Sequence, residues 1–428
     1  MACHILKLQA ELQYQIAGYL QSGGFEIDIR SLSLTCSFYY ATLIPYTFKR
    51  LVLYNDETSA ASIMHCLNDN SKWHYAEHVK ELYFTNKYEE LLEDALKRGL
   101  PQLGDKDYDS IEGLDQVCQL PTKAIQILAN LTRYFPNLET LTVEWRLEYE
   151  NNWWYEGYFF VENENDIPDL EAKHPWRALM RNVYNAIGQN TCCPSSCSSS
   201  QIPGEANSAS NPPCPISPLK SLEIINLPAN SVSSFFPSSD ATNNFHRLLN
   251  HLDAFKISLM VEEYPGDHWL SNVDQFQYFC SRLDAYFFDH LHAATTVSVT
   301  SLCGALGTDG FEGSSNHSYC PFQLFPAHVP KLKQLELNNC CITGAVREFL
   351  VAHAKTLEKV ELVDCWCDYR ESWGQLFSEL ADAGADRLVE FTMQFPGELD
   401  FEEWEGEEGE EEEENGMSAE DIQRRVEE

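Results

Sequence analysis

The cysteines are the first residues of this chain whose type and spacing could do chemistry. Cys192, Cys193, Cys197 and Cys214 fall in one stretch, and thiolates are strong zinc ligands. Structural zinc takes paired Cys knuckles, and only Cys193 and Cys197 are suitably spaced here, inside a Ser/Pro tract. That spacing does not build a metal site, so no metal and no other cofactor is expected. Cys340, Cys341, Cys365 and Cys367 sit at the turn positions of two similar segments, where a buried Cys packs as a small hydrophobe. Gly304, Gly307, Gly310 and Gly313 are evenly spaced, but no Lys-Ser/Thr pair follows, so the run lacks the pattern of a phosphate cradle and reads as a flexible loop over Gly304 to Ser318. The chain has no Gly-x-Ser-x-Gly elbow, no His-Glu-x-x-His and no kinase signature, and reads as non-catalytic. Its densest aromatic group is Trp145, Trp153, Trp154, Tyr155, Tyr158, Phe159 and Phe160, interleaved with Asn and Glu. That composition suits either packing or a binding hot spot.

The elements that would position such residues change in period along the chain. Leu8, Leu12, Ile16, Tyr19 and Leu20 are spaced to form one apolar stripe on a helix, ended by Gly23 and Gly24. A second helical run covers Ile29 to Tyr40, with Leu43 following before Pro45. Arg50 to Tyr54 (RLVLY) is short and aliphatic, as a strand would be. Beyond it one template recurs: Leu332-x-x-Leu335-x-Leu337-x-x-Cys340-x-Ile342 returns as Leu357-x-x-Val360-x-Leu362-x-x-Cys365-x-Cys367. This is the leucine-rich-repeat pattern, alternate apolar residues of a short strand facing a core before a turn. Weaker strand cores begin at Val79, Leu138, Leu219, Leu252, Ala294 and Leu388. Their irregular spacing predicts a degenerate α/β solenoid with long insertions. Thr122 to Tyr134 and Gly344 to Lys355 carry helical spacing and would lie between strands.

Bulk composition narrows the partners. The 428 residues are 44% hydrophobic, enough for a sizeable core, and the formal net charge of −37 argues against nucleic acid and anionic membranes. Part of that charge is local, in an acidic run over Glu398 to Glu414 that reads as a solvated tail. Gly188 to Pro218, rich in Ser, Pro, Asn and Cys, reads as a disordered insertion. The first twenty residues do not read as a signal peptide, and no apolar run is long enough to span a membrane. The expected location is the cytoplasm or nucleus, with the fifteen cysteines as free thiols.

Leu8 to Leu53 resembles the F-box, in the F-box-like form that opens many fungal leucine-rich-repeat proteins. The family's opening Leu-Pro-x-Glu-Leu corresponds to Leu8-Gln9-Ala10-Glu11-Leu12, with Gln9 in place of Pro, followed by Ile16 and Gly18-Tyr19-Leu20. Its second part corresponds to Leu32-Ser33-Leu34-Thr35-Cys36, Tyr39-Tyr40, Leu43, Pro45 and Phe48-Lys49-Arg50-Leu51. The resemblance implies a three-helix module over residues 1–50 that docks a Skp-type adaptor, and through it a cullin scaffold, by Leu8, Gln9, Leu12, Ile16, Leu20, Leu32, Leu34 and Cys36. The expected fold class is therefore α+β to α/β: that module, an irregular leucine-rich-repeat-like solenoid over 51–397, and an acidic tail over 398–428. The implied function is substrate recognition for a Skp-cullin-F-box ubiquitin ligase, the repeat body holding a protein substrate. Trp153, Trp154 and Tyr155, following the strand core at Leu138 to Val143, are the expected substrate contacts. Two other readings fit the sequence: a stand-alone repeat scaffold with an N-terminal cap, and a binder of basic proteins such as histones through the acidic tail.

Overall fold

The computed structural model describes residues 12, 15–16, 18–19, 31–34, 37–68, 74–86, 119–146, 164–173, 175–191, 219–236, 240–260, 274–301, 306, 324–367 and 373–394. Their architecture is α/β. Nine principal strands occur in chain order: β1 Arg50–Tyr54, β2 Glu81–Thr85, β3 Thr140–Glu144, β4 Ser221–Pro228, β5 Ala254–Met260, β6 Thr296–Ser301, β7 Gln334–Asn338, β8 Lys359–Val363 and β9 Glu390–Gln394. Each contains or overlaps one of the strand cores expected from alternating aliphatic residues. The principal helices are α1 Ser37–Thr47, α2 Glu57–Asn68, α3 Thr122–Ala129, α4 Pro175–Gly188, α5 Asp240–Leu249, α6 Gly344–Ala352 and α7 Trp373–Asp382.

The chain divides into two compact units. The first comprises Met1–Glu148, Glu171–Glu223 and Pro237–Leu248; the second comprises Tyr149–Leu170, Ile224–Phe236 and Leu249–Glu428. In the first unit the strand order is β1-β2-β3, all parallel and in register Arg50↔Glu81↔Thr140. In the second it is β4-β5-β6-β7-β8-β9, parallel from β5 onward. Sequential strands are thus spatial neighbours, so each connection has to return the chain to the same end of the sheet.

Two backbone devices recur along the chain. At the N-terminal end of the strands, the carbonyl before one strand accepts two N–H groups at the start of the next. Lys49 O takes Lys80 N and Glu81 N, Lys80 O takes Glu139 N and Thr140 N, and Glu139 O takes Lys220 N and Ser221 N. The second unit repeats this from Asp253, Thr295, Lys333 and Glu358. Asn226 within β4, and Asn339 and Asp364 directly after β7 and β8, sit in the left-handed region, with φ of 55°, 54° and 50°. Asn and Asp tolerate that region better than other side chains with a Cβ. The twist aims Asn339 N at Val363 O and Asp364 N at Gln394 O, both at 2.8 Å.

Alternation decides which side of each strand is core. Leu82 and Phe84, Leu141 and Val143, Phe255, Ile257 and Leu259, Leu335 and Leu337, and Val360 and Leu362 are all buried. In the first unit the covering layer is helical: α2 packs on α3, and α3 on α4. Aromatic rings run through it from Phe84 to Trp145, Tyr184 and Phe245, with centroids 5.2 to 6.1 Å apart. In the second unit Phe255 meets Phe287 and Phe288, and Phe377 of α7 meets Phe391 of β9. The alternate positions, Tyr83, Glu144, Lys256, Glu336 and Glu361 among them, are polar and only partly buried. Parallel sheets are usually covered on both faces, so a polar second face marks a surface available for contact.

Several local expectations are refined. The helix expected over Thr122 to Tyr134 is interrupted at Asn130, whose side-chain amide donates to Gln126 O and which separates α3 from a short turn at Leu131–Tyr134. The run expected over Ile29 to Tyr40 is helical at 31–33 and turns at Leu34. Helix α1 then continues through Pro45 to Thr47. Gly188 to Thr191, assigned by composition to the insertion, belong to the fold. An added Cβ at Gly188 would lie 2.9 Å from Phe245 N, and Asn190 Oδ1 accepts Leu131 N while its amide donates to Leu128 O and Ile187 O. Leu306, within the expected glycine-rich loop, is buried and bridges to Cys340. Residues 192–218 and the acidic tail lie outside the described residues.

Candidate functional site

Two surfaces stand out. The first is at the N-terminus, where Leu12, Gln15, Ile16, Gly18 and Tyr19 are helical. Leu12, Ile16 and Tyr19 share one helical face by their spacing of four and three. A buried stripe would have been ordinary. Instead Leu12 is 44% and Tyr19 70% exposed, and Leu34, at the turn after the next helical residues, is 82% exposed. These are three of the seven large apolar side chains exposed among the described residues. Ile16 and Leu32 are half-buried, whereas Ser33 between Leu32 and Leu34 is buried. Each exposed side chain of this size forgoes about 1.5–3 kcal/mol of burial, a cost that a covering partner can recover.

The module is fastened by its other end. In α1, Tyr39, Leu43 and Ile44 are buried. Tyr40 Oη lies 2.6 Å from Tyr75 Oη, and Phe48, just past the helix, packs its ring 4.4 Å from that of Tyr75. Lys49 O then starts the carbonyl stitching that leads into the sheet. Of the residues expected to touch an adaptor, Leu12, Ile16, Leu32 and Leu34 are therefore placed, two exposed and two half-buried; Leu8, Gln9, Leu20 and Cys36 lie outside the described residues. So do Trp153, Trp154 and Tyr155. Trp145, from the same aromatic group, is core: it is 1% exposed and its indole N–H donates to Tyr184 Oη at 3.0 Å.

The second surface is the polar strand face of the first unit, which sequence reasoning did not single out. On β2, Tyr83 carries the Arg50 guanidinium over its ring at 4.4 Å. The Tyr83 hydroxyl lies beside Glu144 and Arg146 and interacts with both electrostatically. Glu144 also accepts from Thr85 Oγ1 at 3.0 Å and from Arg146 Nε at 2.6 Å. The Arg146 backbone is gripped from both sides by buried Asn86, whose Oδ1 accepts Arg146 N at 2.6 Å and whose Nδ2 donates to Arg146 O at 2.8 Å. Burial, helped by the Glu144 carboxylate, pushes the Tyr83 phenol up to about 12, so it stays a neutral donor at physiological pH. The Glu144 hydrogen bond raises the Arg146 pKa further. The signal that could have found this group is the outward, alternate positions of β1, β2 and β3, read together once the register is known.

The second unit's strand face is self-paired. Lys256 on β5 and Glu336 on β7 meet at 3.7 Å, spanning the intervening strand at Ser298, the residue in register with both. Ser298 is 5% exposed, as a small residue beneath such a bridge should be. Lys359 pairs with Glu361 and Glu390 at 3.1 and 2.7 Å.

The repeated cysteines serve the turns. Cys365 Sγ donates to Leu337 O at 3.3 Å and to Val363 O at 3.4 Å, and Cys340 Sγ reaches Asn338 O at 3.3 Å. Burial pushes both thiols up, Cys365 to about 11. Among the described residues no group of three or more His, Cys, Asp or Glu side chains is placed to hold a metal ion, and no helix is long and apolar enough to cross a membrane. No protein-family model matches the chain, and no curated protein is significantly similar to it.

Proposed function

We propose that this chain is a substrate-recognition adaptor of a Skp-cullin-F-box ubiquitin ligase, with an F-box-like N-terminal module and a leucine-rich-repeat-like body. The observation that carries this reading is the exposure of Leu12 and Tyr19 on a helical segment and of Leu34 at a turn, at positions of the F-box resemblance, joined through a well-buried α1 to the first of a series of parallel strands. A module of about 45 residues that leaves its apolar side chains uncovered has a face for a partner helix. The stitched strands and their polar outer face support the second half, a rigid body presenting side chains to a protein substrate. Such a protein acts by proximity, raising the effective concentration of substrate near a ubiquitin carrier bound elsewhere in the assembly.

The buried face of α1, with Tyr39, Leu43 and Ile44, also favours a second reading, in which the N-terminal module is only a cap on the first strand. The two differ at Leu12 and Ile16. Under the adaptor reading, Leu12→Asp with Ile16→Asp abolishes co-purification of the Skp-type adaptor while the chain stays folded by circular dichroism. Under the cap reading the parent chain captures no adaptor at all. Capture that persists in the folded double variant would show that the assigned face is wrong.

A further inference from the structure

We infer that Arg50, stacked on the ring of Tyr83, and Arg146, at its hydroxyl, form a clamp for one anionic side chain, carboxylate or phosphate, of a protein partner lying across β1, β2 and β3. This rests on the reading of the strand-bearing body as the part that holds the substrate, and gives that substrate a chemistry.

Arg50 is one of several basic residues without an ion pair among the described residues, Arg133, Arg247 and Lys331 being others, and is set apart by its stack on an aromatic ring. The chain has 66 Asp and Glu against 29 Lys and Arg, so cations find carboxylates readily. Lys49, Lys80, Lys123, Lys220, Lys256, Lys333 and Lys359 are all in ion pairs. Arg50 is exposed, and among the described residues its recorded contact is the Tyr83 ring and no carboxylate. Stacking fixes a guanidinium without consuming its N–H donors.

Arg146 is ion-paired, but the pair presents its positive side. The Glu144 side chain is 15% exposed and that of Arg146 49%. Glu144 meets Thr85, Tyr83 and Arg146 Nε, and so serves as an inner support. The bond to Glu144 uses Nε, so among the described residues no carboxylate occupies the terminal nitrogens of Arg146. With its backbone held by Asn86, little freedom is lost on binding. The guanidinium fork of each arginine suits the bidentate geometry of a carboxylate or a phosphate. The excess negative charge of the chain opposes a polyanion such as nucleic acid, while a single anionic side chain in an otherwise neutral or basic segment meets little repulsion.

The test uses the full chain and three fluorescent peptides of one neutral sequence, with serine, phosphoserine or glutamate at the centre, read by anisotropy. The phosphoserine or the glutamate peptide binds at least about tenfold tighter than the serine peptide, and the preferred one identifies the source of the anion. In Arg50→Gln with Arg146→Gln the preference collapses. Tyr83→Phe retains the Arg50 stack and loses the hydroxyl anchor of Arg146, so it lowers the preference partially. Equal affinity for the three peptides, including no measurable binding of any at millimolar concentration, would overturn the assignment. So would a preference that survives in the double arginine variant, or displacement by inorganic phosphate at the same concentration as the phosphopeptide. Adaptor co-purification is measured on the same variants: its loss from the parent chain with the peptide preference intact defeats the ligase reading alone, and an intact capture without preference defeats this clamp alone.

Discussion

His353 offers a measurable check on how the second unit is held. It sits directly after α6 and is 4% exposed. Its Nδ1 lies 2.9 Å from Phe349 O and its Nε2 3.0 Å from Val329 O, so one ring ties the end of a helix to the turn before β7. The ring also packs on Phe349, with centroids 4.5 Å apart. His353→Phe keeps a ring of similar size and deletes both polar contacts. Each carbonyl retains a backbone donor, Leu332 N at 3.1 Å for Val329 and His353 N at 3.3 Å for Phe349, so no acceptor is orphaned. Both partners are carbonyl acceptors, so one imidazole N–H serves one of them at a time, and the loss is the ordinary net worth of one hydrogen bond, about 0.5–1.5 kcal/mol. For a unit of this size that lowers the melting temperature by roughly 1–6 °C. His353→Ala also removes the ring contacts and should cost about 3–5 kcal/mol, as for other buried rings. Urea denaturation and calorimetry on the parent and both variants give these values directly. A His353→Phe variant as stable as the parent, or more stable, would refute the claim that this side chain fastens helix to turn.

Two further predictions concern the core and the turns. Gly188→Ala places a methyl against the Phe245 backbone, which lies 2.9 Å from the ideal Cβ, and should destabilise the first unit by about 1–3 kcal/mol in a denaturation experiment. In the native protein at neutral pH, an alkylating reagent should label exposed Cys66 well before Cys340 and Cys365, whose burial raises their pKa and leaves them as unreactive thiols. Raising the pH towards 11 is required before Cys365 ionises in the folded state, and peptide mapping after brief labelling reads the order.

The strands were legible because they combine two signals that reinforce each other: a period of two, and Leu, Val or Ile at the inward positions. Even the weak cores at Leu138 and Ala294 lie at strands. Helix limits were less legible. Asn130 is acceptable inside a helical pattern, yet its side chain caps Gln126 O and stops α3. Pro45 looks like a stop but falls near the end of α1, where few later N–H groups depend on the helix. Gly188 and Asn190 read as loop from their neighbours' composition, whereas tertiary contacts with Phe245, Leu128 and Leu131 order them. The exposed stripe at Leu12, Ile16 and Tyr19 was visible as spacing, although spacing alone does not say whether a stripe is covered. The Arg50, Tyr83 and Arg146 group was not visible. Alternation tells which residues leave the core, but only the register Arg50↔Glu81↔Thr140 brings these three together.

The repeated double acceptance by one carbonyl per strand separates inheritance of the frame from inheritance of its contents. Each stitch joins two short backbone stretches and asks nothing of the side chains or of the chain length between them. It spans the long interval from Glu139 to Lys220 in the same way as the short one from Lys333 to Glu358. Intervening segments can therefore lengthen, shorten or be exchanged over evolutionary time while the strands stay aligned. A grafted insert, or a rewritten set of outward residues, should change what such a protein selects without renegotiating how it folds.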